Sequence, residues 1–309
     1  MSEEPKTMTR AEKIAIRSER VRLRRAKMNE ERIAEGRPTL EEEEAMAKEG
    51  IEIPEVPTKD TGWKPDVINK DKLDIEICIH TFHYQRRLCW MLSSILQQEG
   101  NVPNITVSIS HTDNDGDPTT AEVCEFFRNK GLTIKEQILT EAQVKNRAIG
   151  RNLQVADTNS DWMLFADSDM VYSPHFFEDI QKQLKTTYSQ EAKVLGADRI
   201  SLDIPFCIKY FEEDTTKYPC VIPNVSKIAE EWPVKWVTGR GTCAGNFQLA
   251  NTQAIMYIAD GKYTGREGDV WRHTKSDRAF RCRMGGRKPM KTLPQHHLNH
   301  DRGGPEIQR

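Results

Sequence analysis

Residues 161 to 170 read DWMLFADSDM, and the aspartates Asp167 and Asp169, one serine apart, set the chemical question. Carboxylates this close repel, so neither stabilises a strand tip by itself. In extended backbone the side chains at i and i+2 share a face, so both can address one cation. Oxygen donors that leave room for water and phosphate suit Mg2+ or Mn2+. The competing role is structural: SPHFFEDI begins a helix near Pro174, and Asp169 or Ser173 would cap it. Two further groups carry charge of the right kind. HTDNDGD, at 111 to 117, is rich in carboxylates, and Asp113 is an acceptor suited to a uracil or ribose hydrogen bond, or part of an acidic turn around Asp115 and Gly116. Arg147 and Arg151 are four residues apart, so on a helix they share one face, toward a ligand or toward solvent.

The elements that would position these groups follow from apolar periodicity. LDIEICIH is β-branched and strand-like, and QRRLCWMLSSILQQ repeats its apolar residues at helical spacing. ITVSIS and LTIKEQIL continue the strands, and PTTAEVCEFFRNKG gives a helix stopping at Gly131. EAQVKNRAIGRNLQVADT reads as one helix leading into the strand DWMLFADSD. Strand and helix alternate four times, the pattern of a parallel α/β sheet wrapped by helices. Ligands of such sheets bind at the carboxyl ends of the strands. Those ends hold His80 to His83, the aspartates after Ser110, and Asp167 with Asp169.

Composition narrows the class. Lysine plus arginine (45) nearly balances aspartate plus glutamate (47), so net charge points to neither nucleic acid nor membrane. The 37% hydrophobic share places part of the chain outside any core. No apolar run approaches the roughly 20 residues that span a bilayer, and the N-terminus is charged rather than signal-like. Seven scattered cysteines without a C-x-x-C pair fit a reduced, cytoplasmic compartment, and any metal would be held by oxygen and nitrogen. Residues 1–50 form a charged helical arm, basic from Arg10 to Lys27, that is either a solvated helix or a contact for nucleic acid phosphates. A proline-containing linker at 51–71, a main domain at 72–302 and a short tail at 303–309 complete the expected organisation.

The order ICIHTFHYQRRLCWMLSSILQQ, ISHTDND, RNLQVADTNSDWMLFADSDM resembles the GT-A fold of nucleotide-sugar glycosyltransferases, most closely the family 2 type. The resemblance covers about residues 72 to 302 and implies a Rossmann-like, mostly parallel sheet flanked by helices. It implies that the first strand tip (Thr81, His83) and Asp113 hold the nucleoside of a UDP-sugar. HTFHYQ and SHTDND depart from the family's common tip motifs, and Ile149 and Gly150 replace the small residue usual before Arg151. The segment with Asn246 to Ala250 as a strand would lie on the acceptor side, ahead of a helix in HTKSDRAFRCRMGG. There Asp277 corresponds to the family's general base, unless it is a helix N-cap; Glu267 and Asp269 are the reserve candidates. The ending LPQHHLNHDRGG implies that His300, or else His297, completes the metal shell and that Arg302 meets the diphosphate.

A base at Asp277 implies transfer with inversion, although the same metal apparatus serves retaining enzymes. Two rivals fail on motif: HTFHYQ lacks the glycine- and lysine-rich loop of a nucleotidyltransferase, and no G-x-G-x-x-G opens the first helix as in a Rossmann dehydrogenase. The alternative of another class is a non-catalytic nucleotide-sugar or nucleic-acid binding protein of the same fold. The acceptor stays open between a polysaccharide, a protein side chain and, given the basic arm, a hydroxymethylated DNA base.

Overall fold

The computed structural model describes residues 68–202, 219–225, 234–237, 247–263 and 275–298, together with Ala26, Asn29, Glu30, Trp63 and Asp66. The chain divides into two compact units, Met1–Lys59 and Asp60–Arg309. The second carries the sheet.

Strands β1 (Asp74–His80), β2 (Asn104–His111), β3 (Thr133–Ile138) and β4 (Trp162–Asp167) run parallel in the order β3-β2-β1-β4. Helices α1 (Gln85–Leu96), α2 (Thr120–Asn129), α3 (Glu141–Val144) and α4 (Arg147–Ala156) fall between them. Beyond β4 the sheet becomes mixed. β8 (Phe247–Asn251) lies antiparallel to β4, followed by β6 (Val194–Leu202), β9 (Arg287–His297) and the two-residue β5 (Met170–Val171), with β7 (Val234–Val237) paired to β6. The expected α/β architecture is present, its parallel half built from the four predicted strands.

Alternation along the strands explains the layers. On β1, Ile75, Ile77 and Ile79 face one core and Cys78 faces the other; on β4, Trp162, Leu164 and Ala166 oppose Met163 and Phe165. The first core is closed by α1, α2 and α5 (Phe176–Thr186). The second is closed by α4, α6 (Thr252–Ile258) and α7 (Lys275–Arg283). A sheet buried on both faces needs such near-continuous apolar strands.

One predicted element differs. The stretch read as a single helix from Glu141 is broken, because the Asn146 side chain accepts the Ala148 N–H at 3.1 Å and starts α4 afresh at Arg147. Asparagine offers the backbone a local alternative to the helix, and no proline or glycine announces it. The approach of α4 to the sheet is close: a Cβ on Gly150 would stand 2.7 Å from Ser110 Oγ and 3.4 Å from His80 Nδ1. Gln154 then ties α4 to both inner strands, donating to Ile79 O and Ser108 O at 2.9 Å each.

Candidate active site

Register places the strand ends level. His80 at the tip of β1 pairs with Ser110 on one side and Asp167 on the other. Burial, with the guanidiniums of Arg147 and Arg151, pushes the His80 imidazole down to about 3, so it stays neutral beside them.

Asp167 ends β4 and is 27% exposed, whereas Asp169 is buried. Neither Asp169 nor Ser173 caps the next helix: α5 starts after His175, and no side chain caps it. The capping alternative for Asp169 is thereby removed. The turn between the aspartates leads into β5, which pairs with the end of β9, Met170 opposite His297 and Val171 opposite His296. The Leu298 N–H donates to Asp169 O at 2.9 Å, fastening the C-terminal strand to the aspartate loop. The backbone of His297 therefore lies beside this loop; its side chain, and all of His300 and Arg302, lie outside the described residues. Among the described residues, no group of three His, Cys, Asp or Glu side chains encloses a metal position.

Arg147 and Arg151 share a face of α4, as their spacing predicts. Arg147 Nη1 lies 3.3 Å from Asp167 Oδ1 and 3.7 Å from Asp277 Oδ2. Arg151, 1% exposed, donates from Nη1 to Asp277 Oδ1 at 2.7 Å, with Nη2 3.9 Å from Asp167 Oδ1. Asp277 sits in the first turn of α7 and is 4% exposed. Burial works to raise its pKa, but Arg151, then Arg147 and the Tyr263 hydroxyl hold the carboxyl below its ordinary value. The two arginines thus bring together the strand-tip carboxylate and the carboxylate of a helix distant in sequence.

Tyr263 completes this cluster and carried no signal in the sequence. Its hydroxyl donates to Asp277 Oδ1 at 2.7 Å and accepts from Arg151 Nη1 at 2.6 Å and Gln248 Nε2 at 3.0 Å. Its ring stacks on Phe280 at 4.4 Å and leans on Phe165 at 4.5 Å.

A cleft of about 600 Å3 opens at the tips of β1 and β2, lined by Phe82, His83, Asp113, Ile138 and Glu141 among others. His83, at φ 58, and Asp113 both line it, and both are exposed. Asp115 is buried and bonds to Thr120 N and Oγ1 at 2.9 and 2.5 Å, so it holds the loop and leaves Asp113 to the cleft. Thr81 is buried behind the tip, its N–H donating to Ser110 O at 3.0 Å, and does not line the cleft. A larger cavity of about 830 Å3 lies at the opposite end of β4, beside Asp161 and Tyr257, away from the carboxylates. Asn246, Glu267 and Asp269 lie outside the described residues.

Residues 76–191, which run from β1 past α5, match the model of glycosyl transferase family 2. The chain is similar in structure to S. aureus TarS 1-349 in complex with UDP, with a TM-score of 0.50 and 14% identity over 74% of this chain and 61% of that one. It is also similar to the mannosyltransferase PcManGT from Pyrobaculum calidifontis in complex with GDP-Man and Mn2+, with a TM-score of 0.45 and 14% identity over 80% of this chain and 64% of that one. The chain thus spans less than two thirds of the length of either. No curated protein matches the chain. Family match and TarS likeness together give a GT-A-type fold.

Proposed function

We propose that this chain is a glycosyltransferase of the family 2 type, which moves a sugar from a nucleoside diphosphate sugar, UDP-sugars favoured, to an acceptor hydroxyl. The observation that carries the reading is the convergence of Asp167, Arg147, Arg151 and Asp277 at the strand ends, beside a cleft lined by Phe82, His83 and Asp113. The cleft offers aromatic surface and a carboxylate acceptor, which suits a nucleobase and ribose. The diphosphate would lie along the edge between Arg147 and the aspartate loop, with Arg302 as a further cation.

A divalent cation fits the same edge. Asp167 and Asp169 supply hard oxygen donors, and the pairing of Met170 with His297 brings the histidine-bearing strand beside them. Asp167, Asp169 and His300 or His297 would hold Mn2+ or Mg2+, which when bound neutralises charge building on the leaving diphosphate. Arg147, a quarter exposed and already facing Asp167, supports that charge from the protein side. Arg151 keeps Asp277 ionised. Asp277 Oδ2 would take the proton of the acceptor hydroxyl, whose oxygen forms a bond to the anomeric carbon. The bond from that carbon to the diphosphate breaks, and the leaving oxygen keeps the electron pair. One such displacement inverts the anomeric configuration.

The test is release of nucleoside diphosphate from a panel of nucleotide sugars, with and without Mn2+, offered polysaccharide and hydroxymethylated-DNA acceptors. Metal-dependent turnover of one donor class is expected, and NMR of the product reads the configuration. Binding of a nucleotide sugar without turnover on any acceptor would favour the non-catalytic alternative.

A further inference from the structure

We propose that Tyr263 is a positioning residue of the transfer: its hydroxyl holds Asp277 Oδ1 inside the protein, so that Oδ2 is the oxygen presented to the acceptor. This rests on the reading of Asp277 as the base and adds a residue that neither sequence motif nor family match marks out.

Hydrogen-bond valence fixes the direction of every contact. Arg151 Nη1 and Gln248 Nε2 can only donate, so at 2.6 and 3.0 Å they fill both acceptor positions of the phenol oxygen. Its single proton then goes to Asp277 Oδ1, 2.7 Å away. That oxygen also accepts from Arg151 at 2.7 Å, so a proton on it would face two donors. The cluster therefore favours the carboxylate and occupies one of its oxygens. Oδ2, 3.7 Å from Arg147 Nη1, lies on the side of Asp167 and the strand ends.

The ring that carries the hydroxyl is held independently of it. It stacks on Phe280, leans on Phe165 and lies 4.8 Å from the Arg151 guanidinium carbon. Gln248 belongs to β8 and pairs in register with Phe165 of β4, so its amide is anchored to the strand that ends in Asp167. Removing the oxygen alone therefore leaves the ring packing and takes away one of the two donors that hold Asp277 Oδ1, leaving Arg151 as the other. Among the described residues the other charged groups around Asp277 are Arg151, Arg147 and Arg281; the change removes the acceptor of one Arg151 N–H and leaves the Arg151–Asp277 pair in place.

The experiment compares wild type with Tyr263→Phe in the full chain, using the donor and acceptor that wild type accepts. We expect kcat to fall roughly tenfold to a hundredfold, the loss of one charge-assisted hydrogen bond. The donor KM should stay within about twofold, since the nucleotide cleft is untouched. The acidic limb of the kcat profile should move to higher pH, because a donor that favours the ionised carboxylate is gone. A hydroxyl that only stabilises the core would lower the melting temperature and leave kcat and the acidic limb in place, and that result overturns the proposal. Should Tyr263→Phe not fold, Gln248→Met decides alone: a reduced kcat at unchanged donor KM supports the proposal, and wild-type kcat overturns it. A wild type inactive on every donor overturns the glycosyltransferase reading itself, whereas an active wild type with an unaltered Tyr263→Phe overturns this inference alone.

Discussion

Arg151 and Arg147 show how one helix face can carry two different energetic roles. Arg151 is 1% exposed and pairs with Asp277, so it is a structural cation whose loss strands a buried carboxylate. Arg147 is 25% exposed and bridges Asp167 and Asp277 at longer range, so it is free to exchange partners with a ligand. Breaking a buried pair by deleting one member costs about 3–5 kcal/mol, while exposed pairs contribute under about 1 kcal/mol. Arg151→Met should therefore destabilise strongly in urea titrations. Arg147→Ala should melt like wild type and bind nucleoside diphosphate more weakly by calorimetry. Equal stability of the two variants would contradict this division. The pairing of these arginines was legible from their four-residue spacing, and His83 and Asp113 from their places at strand tips. Tyr263 was not: a lone tyrosine in GKYTG has no period and no motif, and its role arises only where three distant segments meet.

At the level of elements, the parallel half of the sheet was legible because its strands are continuous apolar runs. The later strands were less so. β9 extends over Arg287–His297, a stretch with lysines, prolines and histidines that gives little β pattern, and it is a strand because β6 pairs alongside it. The break at Asn146 likewise depends on a side-chain cap rather than on composition. The end of β2 carries a pH-sensitive tie that bears on the cleft. His111 is buried, and both its ring nitrogens face acceptors, Thr112 O at 2.9 Å and Glu136 Oε2 at 2.8 Å, which suits the doubly protonated ring. Burial opposes that charge, but Glu136 and the Thr112 carbonyl raise its pKa above 6.5 overall. A raised folded-state pKa contributes stability that is complete below the unfolded value and is lost as pH rises through the folded one. Wild type should therefore lose stability through that window, and His111→Gln should not. The same dependence of stability on pH in the two proteins as pH rises above 6.5 would contradict the assignment.

On the scale of the molecule, the site belongs to the unit Asp60–Arg309. No helix among the described residues is long and apolar enough to cross a membrane. Among the described residues, Cys78, Cys89, Cys124, Cys220 and Cys282 form no disulfide with one another. The basic segment Arg10 to Lys27 lies outside the described residues apart from the helical Ala26, so its role rests on charge alone. Deleting residues 1–50 should leave nucleotide-sugar binding unchanged and weaken DNA binding most at low salt. Equal DNA affinity with and without the arm would remove the nucleic-acid contact.

We propose that the Asp167–Asp169 edge holds the donor diphosphate with a divalent cation. The most direct measurement is Mn2+-dependent release of nucleoside diphosphate by wild type and by Asp169→Ala, at matched melting temperature. Metal-dependent turnover is expected of wild type, with a loss of at least about a hundredfold in the variant. Turnover by Asp169→Ala at the wild-type rate would contradict it.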